Sequence, residues 1–147
     1  MRDVASADVV DRFFAACNAH DSDLLGRCFA SNVAAVGPDG QAESREEVVS
    51  YYAVIWTAVP DMRFTVWQTI VEGEEVAATA LGTGTHTGPL LITGGDLVPG
   101  TGRRISIRCC WVFTVEQGLI VSYHLFYDQL EMYAQLGLPM PGGGTPW

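Results

Sequence analysis

Three side chains in this sequence have types and settings that could do proton chemistry: Asp128, His124 and His86. Asp128 closes the largely apolar run 119–127. A carboxylate bordering such a run loses water, and desolvation lifts its pKa toward the range where it can take up and return protons. Asp128 also stands where it would cap a following helix, which is the purely structural use of the same residue. His124 shares its parity with Ser122, Phe126 and Asp128, so in a strand all four face one side. If that side is a cavity, His124 lies deep in it, about 13 Å from Asp128 at about 3.3 Å per residue. The two would then act on opposite ends of one substrate; otherwise His124 is a hydrogen-bonded core histidine. His86 sits in Gly84-Thr85-His86-Thr87-Gly88, just before a loop, 89–100, that could close a cavity as a lid. The plainer use of His86 is as a polar residue at a strand end.

Other chemistries find little material. His20, His86 and His124 fall in no H-E-x-x-H or H-x-H pattern, so no metal site is expected. A G-x-G-x-x-G turn, a phosphate loop and a G-x-S-x-G elbow are all missing, so no nucleotide cofactor is expected either. Cys17, Cys28, Cys109 and Cys110 have neither zinc nor redox spacing and read as small buried hydrophobes of a reducing compartment. The aromatic residues exceed what a core needs. Phe14, Tyr51, Tyr52, Trp56, Phe64, Trp67, Trp111 and Phe126 are the candidates for the walls of a ligand cavity.

The elements that must position these residues follow from periodicity. Val9, Val10, Phe13, Phe14 and Cys17 form one apolar helical face over 6–19. A short helix follows, capped by Asp21, with Leu24, Leu25, Cys28 and Phe29 inward. Residues 32–36 read as a short strand and Gly37-Pro38-Asp39-Gly40 as a turn. Ser44 and Glu47 make a capping box for a third helix that ends before Pro60. Long strands are predicted over 62–71, 76–87, 101–115 and 119–127, with turns at Glu72-Gly73-Glu74 and Glu116-Gln117-Gly118. A last helix spans 128–136, closed by Gly137. The fold class is α+β: a curved, antiparallel or mixed sheet with three N-terminal helices packed on one face. The domain is placed at 1–138, followed by a Gly/Pro-rich tail at 139–147.

The bulk numbers agree with one apolar domain. The chain has 147 residues, 48% hydrophobic and 17% charged, with a formal net charge of −9. A basic patch for nucleic acid is missing, and an acidic membrane surface would repel the chain. No segment is long enough to span a bilayer and no signal pattern leads the chain, so a cytoplasmic protein is expected.

Taken in order, five segments give the chain a family likeness: Asn18-Ala19-His20-Asp21, Val59-Pro60-Asp61-Met62, Gly84-Thr85-His86-Thr87-Gly88, Pro99-Gly100-Thr101-Gly102-Arg103, and Tyr127-Asp128-Gln129 with Gln135-Leu136-Gly137. Together they make it resemble the SnoaL-like polyketide cyclases, of the nuclear-transport-factor-like cone fold. The resemblance implies a homodimer with one deep apolar pocket per subunit, no cofactor, and a polyketide-like small molecule as substrate. It also implies that Asp128 is the general acid/base of an intramolecular aldol closure. Two departures stand out. Family members often carry Trp four residues before the aspartate, where His124 stands here. The strand that in aldol cyclases commonly bears a polar His or Gln reads Ser106-Ile107-Arg108-Cys109-Cys110-Trp111-Val112-Phe113. These departures leave epoxide opening, oxa-cyclisation and cycloaddition open beside the aldol route. Epoxide hydrolysis, double-bond isomerisation and simple ligand binding are the alternative functions.

Overall fold

A computed structural model of the chain describes residues 2–92 and 95–139. Helix α1 (Arg2–Ala19) opens the fold, and Val9, Val10, Phe13, Phe14 and Cys17 are all buried on its inner face, as the 3.6-residue period requires. The Asn18 side chain clips the end of α1 to the sheet: its oxygen accepts the Phe64 N–H at 2.7 Å and its amide donates to the Phe64 carbonyl at 2.9 Å. His20, in a left-handed conformation (φ 52), donates from Nε2 to the Met62 carbonyl at 2.8 Å. Asp21 then caps α2 (Ser22–Gly26) by accepting the Leu24 N–H at 3.0 Å. Leu25 is the buried residue of that short helix; Leu24 is exposed and Phe29 already belongs to the next strand.

Strands β1 (Phe29–Gly37) and β2 (Gly40–Ala42) form a tight hairpin through Pro38-Asp39. Helix α3 (Arg45–Ala58) starts at the capping box: Ser44 Oγ accepts the Glu47 N–H, while the Glu47 carboxylate takes the Glu43 N–H at 2.9 Å. The meander comprises β3 (Arg63–Glu72), β4 (Glu75–Thr85), β7 (Arg104–Glu116) and β8 (Leu119–Tyr127), with a small hairpin of β5 (Leu90–Leu91) and β6 (Leu97–Val98) between β4 and β7. Helix α4 (Gln129–Leu136) closes the described chain. Among the described residues the large sheet has the order β2-β1-β8-β7-β4-β3, antiparallel throughout except that β1 runs parallel to β8. That one parallel pair makes the sheet mixed. It brings the N-terminal half of the chain against its last strand. From residue 140 onward, the tail lies outside the described residues.

The helices cover one face of the curved sheet. There Phe13 packs edge-on against Phe14, Phe29, Tyr52, Trp111 and Phe113, at centroid distances of 5.0–6.0 Å. Small residues on β4 let the end of α3 come close: a Cβ added at Gly84 would lie 2.3 Å from a Val59 methyl. Helix α4 sits against the first half of β7, beyond the reach of β8. There the Gln135 side chain replaces a strand, accepting the Ser106 N–H at 2.7 Å and donating to the Ser106 carbonyl at 3.0 Å. The face-to-face alternation is plain on β7 and β8. Ile105, Ile107, Trp111 and Phe113 are buried and face the helices with Tyr123 and Leu125. Val112 and its cross-strand partner His124, with Phe126, are exposed on the outer face.

Candidate active-site cavity

The inward residues do not fill the space between α3, α4 and the sheet. They leave an inner cavity of about 100 Å³ walled by Tyr51, Tyr52 and Ile55 of α3, Phe64 of β3, Ile105, Ile107, Cys109 and Trp111 of β7, Leu125 and Tyr127 of β8, and Met132 and Leu136 of α4. Three residues, Asp39, Tyr51 and Leu125, also line a larger and more open groove of about 450 Å³ between the β1–β2 hairpin and α3. The inner cavity and the groove therefore adjoin at these three residues.

Two polar features interrupt the apolar wall. The first is His86, at the end of β4, which is wholly shielded from solvent. Its backbone is fixed by the segment that returns into β7: His86 N–H donates to the Arg103 carbonyl at 2.9 Å, and Gly102 N–H to the His86 carbonyl at 2.7 Å. Its ring is fixed by Thr101, whose N–H reaches Nδ1 at 3.3 Å and whose hydroxyl lies 3.0 Å from the same atom. Thr101 Oγ1 accepts the Arg103 N–H at 3.2 Å, which leaves its own proton for the ring. An Nδ1 that accepts from a backbone N–H puts the ring proton on Nε2. Among the described residues Nε2 has no hydrogen-bond partner, and His86 lines the cavity. Loss of water lowers the pKa of the ring, and the nearby Gly88 backbone only partly offsets this, so His86 stays neutral at physiological pH. The result is a neutral N–H donor of fixed tautomer on the wall of an apolar cavity.

The second is Asp39. Its residue is exposed on the β1–β2 turn, but its carboxyl folds back toward the hydroxyls of Tyr51 and Tyr127. A Cβ placed on Gly37 would lie 3.3 Å from Asp39 Oδ1 and 3.8 Å from Leu125, which locates the carboxyl over the inner wall. Burial raises its pKa above the usual carboxylate range, with the Tyr51 hydroxyl, its own N–H and the Tyr127 hydroxyl holding it back in part. Burial also pushes Tyr51, Tyr123 and Tyr127 above the ordinary phenol value, so all three remain protonated. Deeper in, Trp111 Nε1–H donates to the Tyr52 hydroxyl at 3.2 Å, and that hydroxyl lies 3.1 Å from the one on Tyr123. The Cys109 thiol on the wall is pushed up to about 12, which leaves it protonated and unreactive.

The sequence model of the SnoaL-like domain matches residues 10–123. The chain belongs to this family. No curated protein matches the chain. Among solved structures, a SnoaL-like chain assigned as a polyketide cyclase from Jannaschia sp. CCS1 superposes with a TM-score of 0.82 at 23% identity, covering 94% of this chain and 95% of that one. IdmH from Streptomyces antibioticus, also assigned as a polyketide cyclase, gives 0.75 at 27% identity, covering 90% and 99%. An LEH-like epoxide hydrolase from M. tuberculosis gives 0.72 at 14% identity, covering 92% of each chain; the likeness there is one of fold.

For this SnoaL-like chain the placement of the sequence candidates divides cleanly. His86 lines the cavity, and so do Tyr51, Tyr52, Phe64 and Trp111. Phe14 is buried one layer behind, against Trp111 and Phe64. Trp56 is partly buried and stacks on His20 at 5.1 Å. His124, Phe126 and Trp67 are corrections: all three are exposed on the outer face, because even-numbered positions of β8 point away from the helices and Trp67 falls at a bulge in β3. Asp128 is a correction too. It is exposed, lines neither cavity nor groove, and caps α4 by accepting the Glu131 N–H at 3.1 Å. The lid expected over 89–100 contains the β5–β6 hairpin, and Leu90 of it touches the cavity. Asp39 carries no functional signal in the sequence, since Gly-Pro-Asp-Gly reads as a turn. The motif residues Asn18, His20, Asp61 and Gln135 hold the frame; Asp61, for example, accepts the Thr85 N–H at 2.7 Å just before His86. Among the described residues no group of three His, Cys, Asp or Glu could hold a metal, and no helix is long and apolar enough to cross a membrane.

Proposed function

We propose that this SnoaL-like chain is a cofactor-independent enzyme that closes a ring in a polyketide-like intermediate held in the inner cavity and its adjoining groove. The observation that carries the reading is the His86 Nε2–H: buried, without a hydrogen-bond partner among the described residues, fixed in tautomer, and carried by a residue that lines an apolar cavity. A buried donor without a partner costs stability, and such a cost is kept where a ligand supplies the acceptor. A substrate carbonyl is the acceptor that fits, and the N–H strengthens its hold as negative charge grows on that oxygen.

In an aldol closure, a proton leaves the carbon beside that carbonyl and the enolate forms on the oxygen held by His86. The enolate carbon then bonds to a second carbonyl carbon of the same molecule, and the alkoxide so formed takes up a proton. Substrate and product are isomers. The chain contains no lysine, so the route through a lysine Schiff base is closed and the enol or enolate route remains. A cycloaddition would use the same donor to draw electron density from a conjugated carbonyl, with the walls supplying the folded conformation. The outer sheet face, where Ile70, Val112 and Phe126 are exposed, is the surface through which two copies pair in this reading.

Deleting the gene in the producing organism tests the proposal. An open-chain precursor accumulates and reintroduction of the gene removes it; an unchanged metabolite profile refutes the reading.

A further inference from the structure

The ring closure needs a proton acceptor, and the residue the family likeness offers for it, Asp128, lies outside the cavity. We propose that Asp39 is the general base of this site, taking the proton from a carbon of a substrate that lies across the junction of the inner cavity and the outer groove. The inference takes the cavity as the reaction site, as proposed above.

The geometry supports it in three ways. Asp39 belongs to the walls of both the cavity and the groove, a position it shares only with Tyr51 and Leu125 among the described residues. Its turn is short, since Gly37 pairs with Gly40 across the hairpin, and Oδ1 folds back over Gly37 toward Leu125. The carboxyl therefore reaches inward from a tight turn that fixes its origin. Finally, hydroxyls from two different elements converge on it, Tyr51 from α3 and Tyr127 from β8. Both phenols stay protonated, so they are donors that orient the carboxylate and can return a proton after the bond is made.

The groups facing Asp39 set its pH response. Tyr51 and Tyr127 favour its ionised form, and Glu46 and Glu47 of α3 line the same groove. Tyr123 of β8 completes that side, and Cys109 of β7 stands beyond Tyr127 as a neutral thiol. Desolvation outweighs the hydroxyl donors, so the carboxyl titrates above the ordinary value. A base with a raised pKa binds the substrate proton more strongly. The step balances without a co-reactant: the C–H electron pair moves onto the carbonyl oxygen held by His86, and the proton moves to Asp39.

The test uses 5-nitrobenzisoxazole, a flat apolar probe whose breakdown needs only a base. Loss of its C–H proton turns C=N into a nitrile and breaks the N–O bond, releasing a coloured cyanonitrophenolate. With the purified full chain the rate rises with pH through a single midpoint above the free-carboxylate value and exceeds that of acetate at equal concentration. Asp39→Asn lowers the rate about 100-fold or more, in line with the usual yield of about 10²–10⁴ from one positioned base. Asp128→Asn leaves it unchanged. Tyr127→Phe keeps the base but removes a donor to its charged form, so the midpoint moves up; this variant tests the proposal even if Asp39→Asn folds poorly. A rate no faster than acetate, a full rate in Asp39→Asn, or a midpoint that ignores Tyr127 overturns the assignment. None of these outcomes touches the ring-closure reading, which rests on His86 and the metabolite profile.

Discussion

Replacing His86 by Asn separates the two things the ring does. Asparagine Oδ1 stands near the place of Nδ1, so the Thr101 N–H keeps an acceptor, while the Nε2–H in the cavity is deleted. The stability change comes mainly from lost volume. Losing the far side of the ring opens a hole of roughly 40 Å³, which at about 24 cal/mol per Å³ costs about 1 kcal/mol. The asparagine amide carries N–H donors of its own into the same buried space, so no relief from an unpartnered donor offsets this cost. For a chain of this size the melting temperature falls by about 2–4 °C. Ring closure, by contrast, should slow by about 10²–10³, the usual loss on deleting one donor to a developing oxyanion. Calorimetry or circular dichroism gives the first number, and conversion of the accumulated open-chain precursor gives the second. A melting point lowered by much more than 10 °C would make His86 a structural residue. Undiminished conversion would remove it from the chemistry. The lowered pKa adds a signature with a definite sign. The unfolded ring takes a proton before the folded one does, so stability is fully present above about pH 6.5 and falls as the pH drops below it. The Asn variant loses that part of the slope.

Other consequences are more local. Tyr52→Phe leaves the buried Trp111 Nε1–H without its acceptor and breaks the bond to Tyr123, so unfolding free energy should fall by about 1–3 kcal/mol; an unchanged denaturation midpoint would contradict the network. Sedimentation at micromolar concentration should show a dimer, and Val112→Asp, placed on the outer face beside Ile70 and Phe126, should give monomers with an unchanged melting profile at high dilution. A wild-type monomer would refute the pairing surface.

Much of the frame is legible in the sequence because it is local. The apolar stripe of α1, the capping box of α3, the Asp21 and Asp128 caps and the hairpin turns all declare themselves within a few residues. Reading β8 alone fails at its two faces, because both carry large residues: Tyr123, Leu125 and Tyr127 on one, His124 and Phe126 on the other. The neighbour decides the matter. On β7 the run Arg104, Ser106, Arg108 alternates with Ile105, Ile107 and Cys109, which marks the even side as solvent-facing. Cross-strand pairing then carries that parity to His124 and Phe126. His86 is legible as a candidate, but its fixed tautomer depends on Thr101, which returns from across a loop. Asp39 is not legible at all. Its surroundings come from α3 and β8, and from the parallel pairing of β1 with β8, which no local pattern in 29–37 announces.

The central claim is that this cavity closes a ring, and it is tested most directly by giving the purified protein the open-chain precursor that accumulates when the gene is deleted. The account predicts disappearance of the precursor and appearance of a cyclic product of the same mass, or lighter by one water, with His86→Asn slower by about 10²–10³. An unconverted precursor in the presence of folded wild-type protein, with no metal or nucleotide cofactor added or with them added, would contradict it.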